Sequence, residues 1–294
     1  MQSNNPVFRR SEEFNSSNAY GNQTYAGNGS GYQNYGQQGY TDPATWGTGE
    51  PGQPGSTPAP VATGGPMTID SVVQKTAISL VVVIVAAAAT WILSPSIDAD
   101  TTTPSDISGL IAAATIGSLV AFVLSMVNSF KRVISPALVL LFCAAEGVAL
   151  GGISKVFELA YPGIVMQAVV GTFGAFAGTL AVYKFFNIKV TDKFRKMVIA
   201  AMLGVVAISI IEVVLSLFNA QIGLFEDGKL GFVFALIGLA LGVFMLVLDF
   251  DFVEQGVANR LPDREGWRAA FAMTVSLVWI YTNLLRILAI MRGD

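Results

Sequence analysis

Residues 230–252 read LGFVFALIGLALGVFMLVLDFDF, with no charged side chain before Asp249 and glycines at 238 and 242. A helix crossing the hydrocarbon core of a bilayer needs about 20 mostly apolar residues, and this run meets that length without a break. Six more such runs fall near 72–94, 107–129, 136–157, 164–186, 197–218 and 267–290. Backbone groups in lipid must be paired within the spanning structure itself, and these runs are too long and too evenly apolar for barrel strands. The expected fold is an all-α integral membrane protein, a seven-helix bundle over residues 67–294.

Composition supports this reading. Of 294 residues, 53% are apolar and 13% charged, whereas soluble domains carry about a quarter charged residues. The split is uneven, with only 16 of the first 66 residues apolar. Residues 21–40, GNQTYAGNGSGYQNYGQQGY, are followed by Pro43, Pro51, Pro54, Pro58 and Pro60. Such a stretch buries too little apolar surface to offset the entropy of ordering, so residues 1–66 are expected to form a disordered tail. Its Tyr20, Tyr25, Tyr32, Tyr35 and Tyr40 offer weak contacts for a protein partner or for self-association, beside the plainer reading of a solvated tether. No apolar signal-peptide region opens the chain, and sequons at Asn15, Asn22 and Asn28 matter only if the tail is extracellular.

Several chemistries are excluded. There is no histidine, and the single Cys143 lies inside an apolar run, which removes disulfide frameworks, Cys/His zinc sites and histidine catalysis. No H-E-x-x-H occurs, nor a G-x-S-x-G with a partner base, so no enzyme activity, cofactor or resident metal is expected. A net charge of −3 gives no reason to expect nucleic acid.

Orientation follows from lysine and arginine in the connections. Lys75, Lys131, Arg132, Lys184, Lys189, Lys193, Arg195, Lys196, Arg260, Arg264 and Arg268 fall on one side. Lys155, Lys229, Arg286 and Arg292 fall on the other, and the first connection there, SPSIDADTTTPSD, has none. The tail is expected inside the cell and, with seven spans, the C-terminus outside. Only 19 residues separate Trp267 from Arg286, which leaves open a short or re-entrant last helix. Trp91, Tyr161 and Trp267 fall near predicted ends, as interfacial aromatics should.

Three spans carry G-x-x-x-G, at Gly147/Gly151, Gly174/Gly178 and Gly238/Gly242, a stripe where helices approach closely. The acids inside the spans are more telling, since an ionised carboxylate at the bilayer centre costs at least about 2.5 kcal/mol. Glu146 lies in the middle of the third span, Glu212 in the outer third of the fifth, and Asp249 and Asp251 near the inner end of the sixth. At 100° per residue Gly238, Gly242 and Asp249 lie within about 40° of one another, so Asp249 is expected to point into the bundle. Asp251, two residues on, is expected to point to a different side and meet cytoplasmic water, and for it and the nearby Glu254 the structural reading is preferred. Asp249 and Glu146 are expected at different depths, which argues against an aspartyl intramembrane protease. Each acid has a structural reading, hydrogen-bonded between helices, and a functional one, in which it is neutral in a closed path and charged when water or a cation enters. Oxygen ligands without His or Cys suit Ca²⁺ or protons.

The sequences CAAEGVALGGISKVF, MQAVVGTFGAFAGTLAVYKF, LVLDFDFVEQGV and LVWIYTNLLRILA, in that order along the spans, resemble the bacterial branch of the Bax inhibitor-1, or transmembrane Bax inhibitor motif, family over residues 68–290. The resemblance implies a seven-helix bundle with a central last helix and a pH-sensitive calcium leak that modulates stress responses in eukaryotes. It places the sixth-helix Asp of a di-aspartyl sensor on Asp249, with Asp251 as the alternative register. The seventh-helix Asp has no match, its place falling on Ser276 or near Asn283. The family's second-helix arginine latch is also missing, since residues 107–129 contain no arginine. Glu146 and Glu212 are candidate substitutes on the ion path.

Overall fold

The computed structural model describes residues 65–95, 104–186, 188–218, 220, 222–226 and 228–293. The expected disorder of the tail, its tyrosines and its sequons concern residues up to 64 and lie outside the described residues, as does the connection 96–103. The described chain forms seven long helices: α1 (Ile69–Leu93), α2 (Pro104–Phe130), α3 (Pro136–Ala160), α4 (Ile164–Phe185), α5 (Asp192–Ser216), α6 (Lys229–Ala258) and α7 (Gly266–Gly293). All seven are long and apolar enough to span a membrane. The last is a full helix of 28 residues, so a short or re-entrant seventh element is not what forms.

Local signals fix the boundaries. Thr68 and Ser71 form a reciprocal capping box at the start of α1, which sets that helix three residues earlier than its apolar run. Thr191 accepts from the backbone N–H of Phe194 at the start of α5, so a charged first turn, DKFRK, precedes the apolar part. Pro136 occupies the first turn of α3, where its missing N–H costs nothing. Between α3 and α4 the chain reverses at Gly163, whose φ of 83° is a conformation that a side chain disfavours. There Glu158 accepts from the N–H groups of Gly163 and Val165, at 2.6 and 3.1 Å.

The last helix stands in the middle, against α1, α3, α4 and α6. In its most apolar stretch 56% is buried, against 17% for α5, which places α5 at the periphery. The glycines of α3 set the other half of the bundle. A Cβ on Gly147 would collide with Val83 O of α1, and one on Gly151 would lie 2.6 Å from Ala87 O. A Cβ on Gly152 would lie 3.0 Å from Leu110 O of α2. On α6, Gly238 and Gly242 face Asn283 and Ile280 of α7. The α4 pair departs from expectation, because Gly174 and Gly178 face open space. Close helix contact explains two of the three small-residue stripes, and the third lies on an outward face.

Two corrections follow at the helix ends. Gly65 and Pro66, assigned to the tail, belong to the folded body: Pro66 bridges Pro262, Met67 N–H donates to Leu261 O at 2.7 Å, and Asp263 N–H donates to Gly65 O at 3.0 Å. Lys155, counted among the cations of a connection, lies inside α3 and is buried. Its ammonium donates to Trp91 O, Ser94 O, Ser94 Oγ and Pro95 O at 2.7–3.2 Å, meeting the free carbonyls at the C-terminus of α1 with a positive charge.

Candidate functional site

The four intramembrane acids divide by what surrounds them. Glu212, 4% exposed, accepts from the backbone N–H groups of Ile222, Gly223 and Leu224 at 3.0, 2.9 and 3.2 Å. Three amide donors meet the needs of a buried carboxylate without a cation, so Glu212 closes the α5–α6 connection. Asp251 is buried, contrary to the expectation that it meets water. Its Oδ2 accepts from an Arg195 Nη and from Gln255 Nε2, both at 2.7 Å. Arg195 comes from the first turn of α5, a neighbour that angular spacing on α6 alone does not reveal. Glu254 is exposed and accepts from the Tyr183 hydroxyl at 2.6 Å.

Asp249 and Glu146 carry no such compensation. Asp249 is half-buried, and its Oδ2 accepts from the Ser276 hydroxyl of α7 at 2.6 Å. Of the two seventh-helix positions, Ser276 is the one that meets Asp249. Asn283 lies two turns further on, against Gly238, and donates to Trp279 O at 2.8 Å. Glu146 is half-buried in α3 and has no ion pair or hydrogen-bond partner among the described residues. One turn before it, the buried Cys143 thiol faces Ser79 of α1 and Thr274 of α7. Ser79 is fully buried, and its hydroxyl oxygen has no hydrogen-bond partner among the described residues.

These contacts also fix relative depth. Thr274 and Ser276 are two residues apart, about 3 Å of rise and 200° around α7. One faces α3 and the other faces α6. Glu146, one turn beyond Cys143, therefore lies within about one turn, roughly 5 Å, of the level of Asp249, not at a different depth. The central helix stands between them, so the two carboxyls flank α7 from opposite sides and form no facing pair. Among the described residues no group of three His, Cys, Asp or Glu side chains is placed to hold a metal ion.

Sequence reasoning missed Arg195, Ser79 and Tyr281. The last, on α7, shares a 2.6 Å hydrogen bond with the buried Ser154 of α3. Ser79 and Tyr281 are polar residues within apolar spans, a signal visible in the sequence but overshadowed there by the acids, whereas Arg195 is one of several cations in its stretch.

Seven apolar helices around a central last helix, with carboxylates held inside the bundle, define a multi-pass membrane protein whose interior carries polar chemistry. The family model described as Bax inhibitor 1 like matches residues 5–293, and the chain belongs to that family. The match begins at residue 5 and so takes in nearly all of the tail, which the resemblance over 68–290 had left out. A comparison with curated proteins gives no match.

Proposed function

We propose that this protein is a cation leak or transporter, linked to calcium or protons and sensitive to pH, with Asp249 and Glu146 on the ion path. The observation that carries it is the contrast among the acids. Asp251 and Glu212 are satisfied by a guanidinium and by backbone amides, whereas Asp249 holds one hydroxyl and Glu146 none. Carboxyls left without a cation inside a membrane bundle are costly and mark ion or proton routes. Family membership supports the reading, with Ser276 standing where a second Asp is implied. The tail is then inside a bacterial cell, in keeping with the positive charge at that end of the bundle.

The test is calcium entry into dye-loaded proteoliposomes at pH 6 and pH 8. Wild type is expected to pass calcium above protein-free vesicles with a rate that depends on pH, and Asp249→Asn or Glu146→Gln to change that rate. Wild type and Asp249→Asn passing calcium equally would remove Asp249 from the path.

A second reading, a membrane protein that does not transport and works through partners, is favoured by Asp251 and Glu212, both of which serve the fold. Deletion of residues 1–64 separates the two. Transport should survive it, and recruitment of partners through the tail should not.

A further inference from the structure

At the end of the bundle where α1 begins, several cations are occupied in holding the fold. Lys75 Nζ lies 2.7 Å from an Asp263 carboxylate oxygen, Arg264 donates to Ile134 O, and Arg268 bridges Glu265 and Arg132 O. The α4–α5 connection differs. Lys184, Lys189, Lys193 and Lys196 are all exposed there, and none has a partner among the described residues. Phe185 and Phe186, 83% and 76% exposed, lie in the same stretch.

Arg195 adds a cation of a different kind. Its side chain is 40% exposed, and one Nη serves Asp251, which leaves Nε and the other Nη without a partner among the described residues. On α5 the buried positions Val198, Val205 and Glu212 mark the inward face. At 100° per residue Lys196 points about 180° from that face and Arg195 about 80°. The carboxylates in reach are few: Asp192 is exposed, Asp251 is taken by Arg195, and Glu254 holds Tyr183. Unpaired cations and exposed rings where two spans end sit at the level of lipid headgroups. Guanidinium N–H donors flanked by ammonium groups suit phosphate oxygens.

We propose that the α4–α5 connection is a docking surface for an anionic phospholipid, with Lys189, Lys193, Lys196 and the remaining N–H donors of Arg195 on the headgroup phosphate and Phe185 and Phe186 among the acyl chains. Arg195 is then shared between the lipid and Asp251, so headgroup binding bears on the tie that holds the start of α5 to α6.

The test is native mass spectrometry of the full chain in detergent micelles, titrated with dioleoylphosphatidylglycerol or dioleoylphosphatidylcholine. Wild type is expected to prefer the anionic lipid by at least about tenfold at low ionic strength and to lose most of that preference at high ionic strength. Changing Lys184, Lys189, Lys193 and Lys196 together to Gln should abolish the preference, whereas Lys131→Gln with Arg132→Gln, exposed at the same end, should keep it. Asp251→Asn, which frees the guanidinium, should tighten anionic-lipid binding severalfold. Equal binding of the two lipids by wild type overturns the proposal, a result that depends on no variant. An unchanged preference in the quadruple variant, or full displacement of the lipid by inorganic phosphate, overturns it as well. Asp251→Asn binding no more tightly removes Arg195 from the surface.

Discussion

Glu212→Ala should open the α5–α6 connection while leaving the rest of the bundle in place. The carboxylate accepts three backbone amides, and these differ in their access to water. Leu224 is buried, Gly223 half-buried and Ile222 exposed. An orphaned buried N–H costs about 1–3 kcal/mol, whereas an exposed one is taken over by water at little cost. Counting Leu224 in full, Gly223 in part and Ile222 at nearly nothing gives about 3 kcal/mol. Alanine is the better helix former, so α5 itself is not weakened. At about 1.4 kcal/mol per factor of ten, the amides of 222–224 should exchange with deuterium roughly 100-fold faster, read by mass spectrometry in nanodiscs. Glu212→Gln keeps a carbonyl oxygen for Gly223 and Leu224 but turns an NH₂ group toward the Ile222 N–H, so its effect should be about tenfold. Exchange in the alanine variant within about threefold of wild type would show that Glu212 does not hold this connection.

Three further outcomes follow from named contacts. Gly151→Ala, which places a methyl 2.6 Å from Ala87 O, should cost about 1–3 kcal/mol and lower the thermal midpoint in detergent, whereas Gly178→Ala should leave it unchanged. A double-mutant cycle on Arg195→Gln and Asp251→Asn should give a coupling of about 1 kcal/mol, below the value for a fully buried pair because Arg195 is partly exposed; steric-trap unfolding in bicelles measures it. Lys155→Met should remove the cation from the C-terminus of α1 and cost about 2 kcal/mol, seen as faster exchange at residues 91–95.

The seven spans were legible because lipid imposes length and apolarity on every one of them, and their ends shifted where polar residues extend a helix beyond its apolar run, as at the Thr68 and Thr191 caps and over the last six residues of α6. The bundle's interior was legible where one helix sufficed to define it. Gly238, Gly242 and Asp249 share a face by period alone, and all three meet α7. What failed depended on which helix stands opposite. Asp251 lies on a flank of α6 that meets Arg195, 56 residues earlier, and nothing in the period of α6 reveals that neighbour. Gly174 and Gly178 have the same spacing as the packed pairs, but no helix comes against them. Glu212 was misplaced among path candidates because its partners are backbone amides, which carry no residue signature. The depths of Glu146 and Asp249 cannot be read from their own spans, and only Thr274 and Ser276 on a third helix bring the two to one level.

The clip at residues 65–67 bears on the order in which the bundle can be completed. Met67 and Gly65 pair with a segment, 261–263, made almost 200 residues later, and Lys75 near the start of α1 waits for the same Asp263. The beginning of the first span is therefore finished only once the sixth has been threaded through the bilayer and the connection after it is in place. A chain stopped within α6, before residues 261–263, would leave that seam open and Lys75 without its carboxylate.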